Sequence, residues 1–141
     1  MLGAVSESVK NGFGEALEAA LALGDLDKAE ELIGRIESLK AGAQPPFLRA
    51  QAARFRARLS AAQGESDGVE QQFKTAAQIF REYGIPLWLA FTLLEHAEWL
   101  ADQRRPDEAG PLAAEAREIF ERLEATPWVE RAGRVGAEVP A

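Results

Sequence analysis

Few residues in this chain could do chemistry. His96 is the only histidine, and Glu95, Glu98, Trp99 and Asp102 surround it in sequence. Metal sites usually gather two or more imidazoles or thiolates, and a chain with no cysteine has only one imidazole to offer. On a helix, Glu98 and Asp102 share a face at i, i+4, and His96 lies off that face. The spacing therefore favours a core histidine with a ring nitrogen bonded to a neighbour. Ser6, Ser8, Ser38, Ser60 and Ser66 include none in a Gly-x-Ser-x-Gly elbow, and only one histidine exists to serve as a base. Asn11-Gly12-Phe13-Gly14 lacks the Lys-Ser/Thr ending that sets an ammonium and backbone donors on phosphates. These residues predict no catalysis, no cofactor and no metal.

Binding chemistry is better represented. Residues 38 to 64 carry Lys40, Arg49, Arg54, Arg56 and Arg58 and no acid, within a chain of net charge −7. Arg54 and Arg58 are i, i+4 neighbours, with Gln51 one turn before Arg54. The guanidinium is a planar fork matched to carboxylates, so one reading is a site for an acidic segment. The other is that these arginines pair with acids of adjacent helices, such as Glu18, Glu98 and Asp102. The candidate groove is thus Gln51, Arg54, Arg58, Glu98 and Asp102. Glu31 with Arg35, Glu118 with Arg122 and Glu130 with Arg134 are i, i+4 pairs that support helices by about 0.2–0.5 kcal/mol each. Trp88 and Trp128 each follow an interhelix break, which predicts plugs between successive helical pairs. Trp99 lies among Leu89, Phe91, Leu93, Leu94 and Leu100, on a helix apolar nearly all round and so buried on several sides. Further repeats or a second protomer are the expected cover, which makes a homodimer one expectation.

The elements that carry these residues follow from composition and punctuation. Alanine, leucine, glutamate and arginine dominate and β-branched residues are sparse, which favours helix. Breaks fall at Gly24-Asp25-Leu26-Asp27, at Gly42 with Pro45 and Pro46, at Gly64-Glu65-Ser66-Asp67-Gly68, at Gly84-Ile85-Pro86, at Arg105-Pro106-Asp107 and at Thr126-Pro127. They predict helices near 4–23, 27–40, 47–63, 67–83, 86–103, 107–124 and 127–136. A period of 40 runs through them. Asp27, Asp67 and Asp107 each open a second helix. Ala29, Val69 and Ala109 follow, then Ile36, Ala76 and Ala116, then Leu39, Ile79 and Ile119. Phe80 matches Phe120, Trp88 matches Trp128, Ala57 matches Ala97 and Gly24 matches Gly64. A helix-turn-helix unit at fixed spacing cannot bury its apolar stripe alone and stacks on its neighbours.

This pattern resembles the tetratricopeptide repeat over about residues 13 to 128. The family places a small residue midway along the first helix, as Ala57 and Ala97 do and Leu17 does not. It places another early in the second helix, met by Ala29 and Ala109 and loosely by Val69. A third falls two turns later, met by Ala76 and Ala116 but not by Ile36. Gly or Asn is common at the hairpin turn, met by Gly24 and Gly64 but not by Arg104. The family's usual period is 34, so 40 implies longer helices or loops. The resemblance implies an all-α, tetratricopeptide-like solenoid in one domain over 1–141. Its hairpins would span about 4–40, 47–83 and 86–124, with a capping helix at 127–136. It also implies a protein-interaction or scaffolding module whose concave groove, lined by Arg54 and Arg58, takes a protein or peptide. A narrower resemblance covers Trp88 to Leu100 and Ala116 to Leu123. These stretches look like the C-terminal repeat region of large bacterial multidomain signalling proteins, in which a nucleotide-cyclase or DNA-binding module is joined to an ATPase. The alternative function it implies is a regulatory segment of a larger ATP-binding signalling protein, excised here and inert by itself.

Charge and hydropathy bound the setting. The acidic balance argues against nucleic acid, whose binding needs a cationic field. The apolar runs are about half the ~20 residues a membrane span needs, and the start shows no signal-peptide pattern. With no cysteine, these features fit a cytoplasmic protein.

Overall fold

The computed structural model describes residues 14–38 and 45–135, and all their regular structure is helical. Helix α1 is described over 14–23. There follow α2 (Leu26–Glu37), α3 (Pro46–Ala62), α4 (Val69–Glu82), α5 (Pro86–Asp102), α6 (Pro106–Arg122) and α7 (Thr126–Gly133). The expected helices agree to within about three residues wherever they can be compared. The stretches 4–13, 39–40 and 136, and with them Leu39, lie outside the described residues.

The helices begin and end for local reasons. Pro46, Pro86 and Pro106 occupy the first helical position, where a missing N–H costs nothing and the ring presets φ. Asp25 caps α2, its carboxylate accepting from the Lys28 amide at 3.2 Å. The aspartates of the 40-residue period do not share one role. Asp27 and Asp107 sit in first turns, where a negative charge meets the positive end of the helix dipole. Asp67 falls short of α4, in a turn that Gly68 completes at φ +81°. Pro111 stands inside α6 on its exposed side and removes one intrahelical hydrogen bond there.

The helix ends repeat one motif. Gly24, Gly64, Gly84, Arg104 and Glu124 all have positive φ, between 57° and 79°, and the last four stand 20 residues apart. At each, the amide one residue further bonds back to the carbonyl five residues before it: Asp25 to Ala20 at 2.8 Å, Glu65 to Ser60 at 3.0 Å, Ile85 to Phe80 at 2.9 Å. Arg105 to Leu100 and Ala125 to Phe120 follow at 2.9 Å each. This is the Schellman closure, which satisfies carbonyls the helix leaves open. The sequence expectation that Arg104 departs from the turn pattern holds for residue type only. Arg104 takes the same left-handed backbone, as does Glu124, at a cost glycine does not carry.

The chain divides into two compact units, Met1–Ile79 and Phe80–Ala141, and the division falls inside α4. In the first, α2 packs on α3, and Leu17, Ile33, Ile36, Phe55 and Leu59 form the centre of the core at 1% exposure or less. In the second, α6 packs on both α5 and α7. Ala97 meets Ala109, Ala113 and Leu100 in one cluster, so small residues allow close approach of α5 and α6. Trp128 of α7 stacks on Phe120 and meets Phe91 edge-on at 4.7 Å between ring centres. Helix α5 buries Leu89, Ala90, Thr92, Leu93, Leu94, His96, Ala97 and Leu100, covering most of its circumference. That cover comes from within the chain.

Candidate functional site

Of the arginines of the basic stretch, Arg54 is buried and Arg56 and Arg58 are partly buried, while Arg49 is exposed. Gln51 and Arg54 of α3 are 5% and 4% exposed. Arg54 Nη1 donates to Gln51 Oε1 at 3.1 Å, and its Nη2 lies 3.6 Å from Glu18 Oε1 on α1. Arg58 Nη1 donates to the same Glu18 oxygen. Both guanidinium groups lie over the Phe55 ring, at 4.8 and 5.4 Å from its centre, which adds cation–π attraction where solvent is displaced. Between them Arg56 reaches α2, donating to Glu37 at 2.7 and 3.3 Å and to Glu30. The hydrogen bond to Glu37 raises the Arg56 pKa against the opposing effect of burial, and Glu30 adds to the rise. Arg54, Arg56 and Arg58 are thus already held by acids of α1 and α2, which were 19 to 40 residues away in sequence.

Glu98 and Asp102 belong to the second unit. Glu98 accepts two bonds from Arg131 of α7, each at 2.7 Å, and the Arg131 guanidinium lies 5.4 Å from the centre of the Trp128 ring. Asp102 is exposed at the end of α5. His96 is 4% exposed, with its ring 6.3 Å from that of Trp99. Among the described residues no group of three histidine or carboxylate side chains could hold a metal ion. The five sequence candidates therefore divide. Gln51, Arg54 and Arg58 cluster around Glu18, Glu98 is engaged by α7, and Asp102 faces solvent.

A different surface in the second unit has the form of a site. A cleft of about 490 Å³ opens between the α4–α5 connection and the C-terminal half of α6. Ile85, Pro86, Leu89 and Ile119 give it an apolar floor. Arg81, Glu115, Arg122 and Leu123 stand around it. Arg81 donates to both Glu115 oxygens, at 2.7 and 3.3 Å, and that bond raises the Arg81 pKa over a smaller opposing effect of burial. Sequence reasoning missed this cleft. The available signal was Tyr83 and Leu123, bulky apolar residues at matching helix ends 40 positions apart, which are 55% and 44% exposed. No family model, curated protein or solved structure matches the chain.

Proposed function

We propose that this chain is a protein-interaction module of the tetratricopeptide type, three helical hairpins and a capping helix that hold a protein or peptide segment and catalyse nothing. One observation carries the reading. The same left-handed closure ends successive helices at a 20-residue spacing, and the small residues of the 40-residue period, Ala29, Ala57, Ala76, Ala97, Ala109 and Ala116, are all at most 1% exposed. Repetition of that kind builds a rigid scaffold whose surface, rather than a pocket of reactive groups, varies. A cysteine-free, acidic chain suits a cytoplasmic setting. No described helix is long and apolar enough to cross a membrane. At the Arg54–Arg58 cluster an acidic segment would have to compete with Glu18, which both arginines already meet.

The reading is tested by selecting from a random displayed-peptide library on the intact folded chain. Enrichment of related sequences that bind the folded chain and are lost on thermal unfolding is the expected result. Failure to enrich any sequence above an unrelated helical control overturns it.

A further inference from the structure

In the second unit two arginines and the exposed Leu123 line one cleft, and the exposed Tyr83 and Leu87 are next in sequence to its lining residues. Four large hydrophobic side chains stand exposed among the described residues: Leu23, Tyr83, Leu87 and Leu123. Leu123 lines the α4–α6 cleft, while Tyr83 and Leu87 adjoin Gly84 and Pro86, which line it too. Such a grouping around a concave apolar floor is the usual form of an anchoring site for a bulky side chain.

Charge adds direction. Residues 80–141 carry seven arginines against twelve acids, yet the cleft is lined by two arginines and one acid. Glu115 is committed to Arg81 through two bonds. Among the described residues Arg122 pairs with Glu118, at 3.5 Å one helical turn away, with both side chains about 70% exposed. Solvent screening leaves such a contact weak, so an arriving carboxylate can take the Arg122 fork without breaking a buried pair.

Resting on the interaction reading above, we infer that this cleft binds a protein segment in which a bulky aliphatic side chain is followed closely by a carboxylate. The aliphatic group enters over Ile85, Leu89 and Ile119. The carboxylate meets Arg122. Leu123 lines the cleft, and the exposed Tyr83 and Leu87 adjoin its lining residues Gly84 and Pro86 in sequence, which gives a polypeptide more to meet than a small aliphatic acid covers.

The probe is a synthetic acetylated, amidated peptide, Gly-Glu-Leu-Glu-Gly, titrated by amide chemical shift. Companion peptides carry Gln for Glu, Lys for Glu, or Ala for Leu. Expected shifts concentrate at Gly84, Leu89, Ile119 and Leu123. The Lys peptide binds at least about tenfold more weakly, the scale of one charge-assisted bond. Arg122→Glu abolishes that preference, and Leu123→Ser or Leu87→Ser weakens binding about threefold or more. These three positions are exposed, so the variants keep the fold, as circular dichroism checks. Four results overturn the inference. The first is shifts centred on other residues. The second is equal binding of the acidic and basic peptides. The third is hexanoate binding as tightly as the peptide with Leu87→Ser inert. The fourth is a wild-type dimer that Leu87→Ser and Leu123→Ser dissolve, which makes a second copy the occupant. In each of these the displayed-library selection still reports separately on whether the chain binds peptides at all; only an empty selection removes both readings.

Discussion

Arg54 shows how a cation becomes part of a core. Its stem and guanidinium lie over Phe55, its Nη1 satisfies the buried Gln51 amide oxygen, and Glu18 supplies a half-exposed counter-charge. Removing it leaves a polar acceptor buried beside a gap, so Arg54→Ala should cost about 1–3 kcal/mol in urea unfolding. Arg54→Met keeps the apolar stem and should recover roughly half of that loss. Arg122→Ala, at an exposed i, i+4 pair, should stay within about 0.5 kcal/mol of the parent. Equal effects at the two arginines would mean that Arg54 contributes no packing. In sequence the two are alike: each is an arginine on a helix with an acid or amide a turn away. Only the burial of one face of α3 against α1 separates them.

At the scale of the helix, the repeated closure places two residues in a conformation their side chains resist. Arg104 has φ 61° and Glu124 φ 57°, where L-residues other than glycine lose about 1–2 kcal/mol. Gly24, Gly64 and Gly84 occupy the equivalent places. Arg104→Gly and Glu124→Gly should therefore each raise stability, by somewhat under 1 kcal/mol once the added freedom of the unfolded chain is counted. Gly84→Ala should lower it by a similar amount. A fall in melting temperature for both glycine variants would show that the side chains contribute more than the backbone strain costs. The glycine positions could be read as turns from type alone. Arg104 and Glu124 could be placed only by their spacing from the others, because no local preference of Arg or Glu leads there.

For the molecule as a whole, the division into two compact units sets where damage is expected to be felt. Ala97 is fully buried in the cluster with Ala109 and Ala113. Ala97→Leu should overpack α5 against α6 and cost about 1–3 kcal/mol. Native-state hydrogen exchange should show faster opening of the α5, α6 and α7 amides, with a smaller change in α2 and α3, because stability in repeat-like chains is summed from local interfaces. Uniform acceleration along the chain would mean that the two units open as one. An unchanged melting temperature would mean that Ala97 does not lie at a helix crossing. The apolar circumference of α5, for which the sequence suggested further repeats or a second protomer as cover, packs on α6, and its Phe91 and Glu98 meet Trp128 and Arg131 of α7.

The amino-acid sequence by itself determined the helices, their limits and the small residues that end up buried. Those depend on propensity, on proline and glycine at helix ends, and on a periodicity that operates within a few turns. Ala29, Ala57, Ala97 and Ala109 stand in the core where the 40-residue period put them. Tertiary structure decided the charges and the cleft. Which acid meets Arg56 depends on α2 lying along α3 so that Glu30 and Glu37 arrive together. The cleft exists because Ile119 faces the same space as Ile85 and Leu89, which precede it by 34 and 30 residues. Pairing of exposed charges and concavity between helices carry no local signature. They are settled by how the helices pack, which is where long-range packing energy outweighs the preferences of any single stretch of chain.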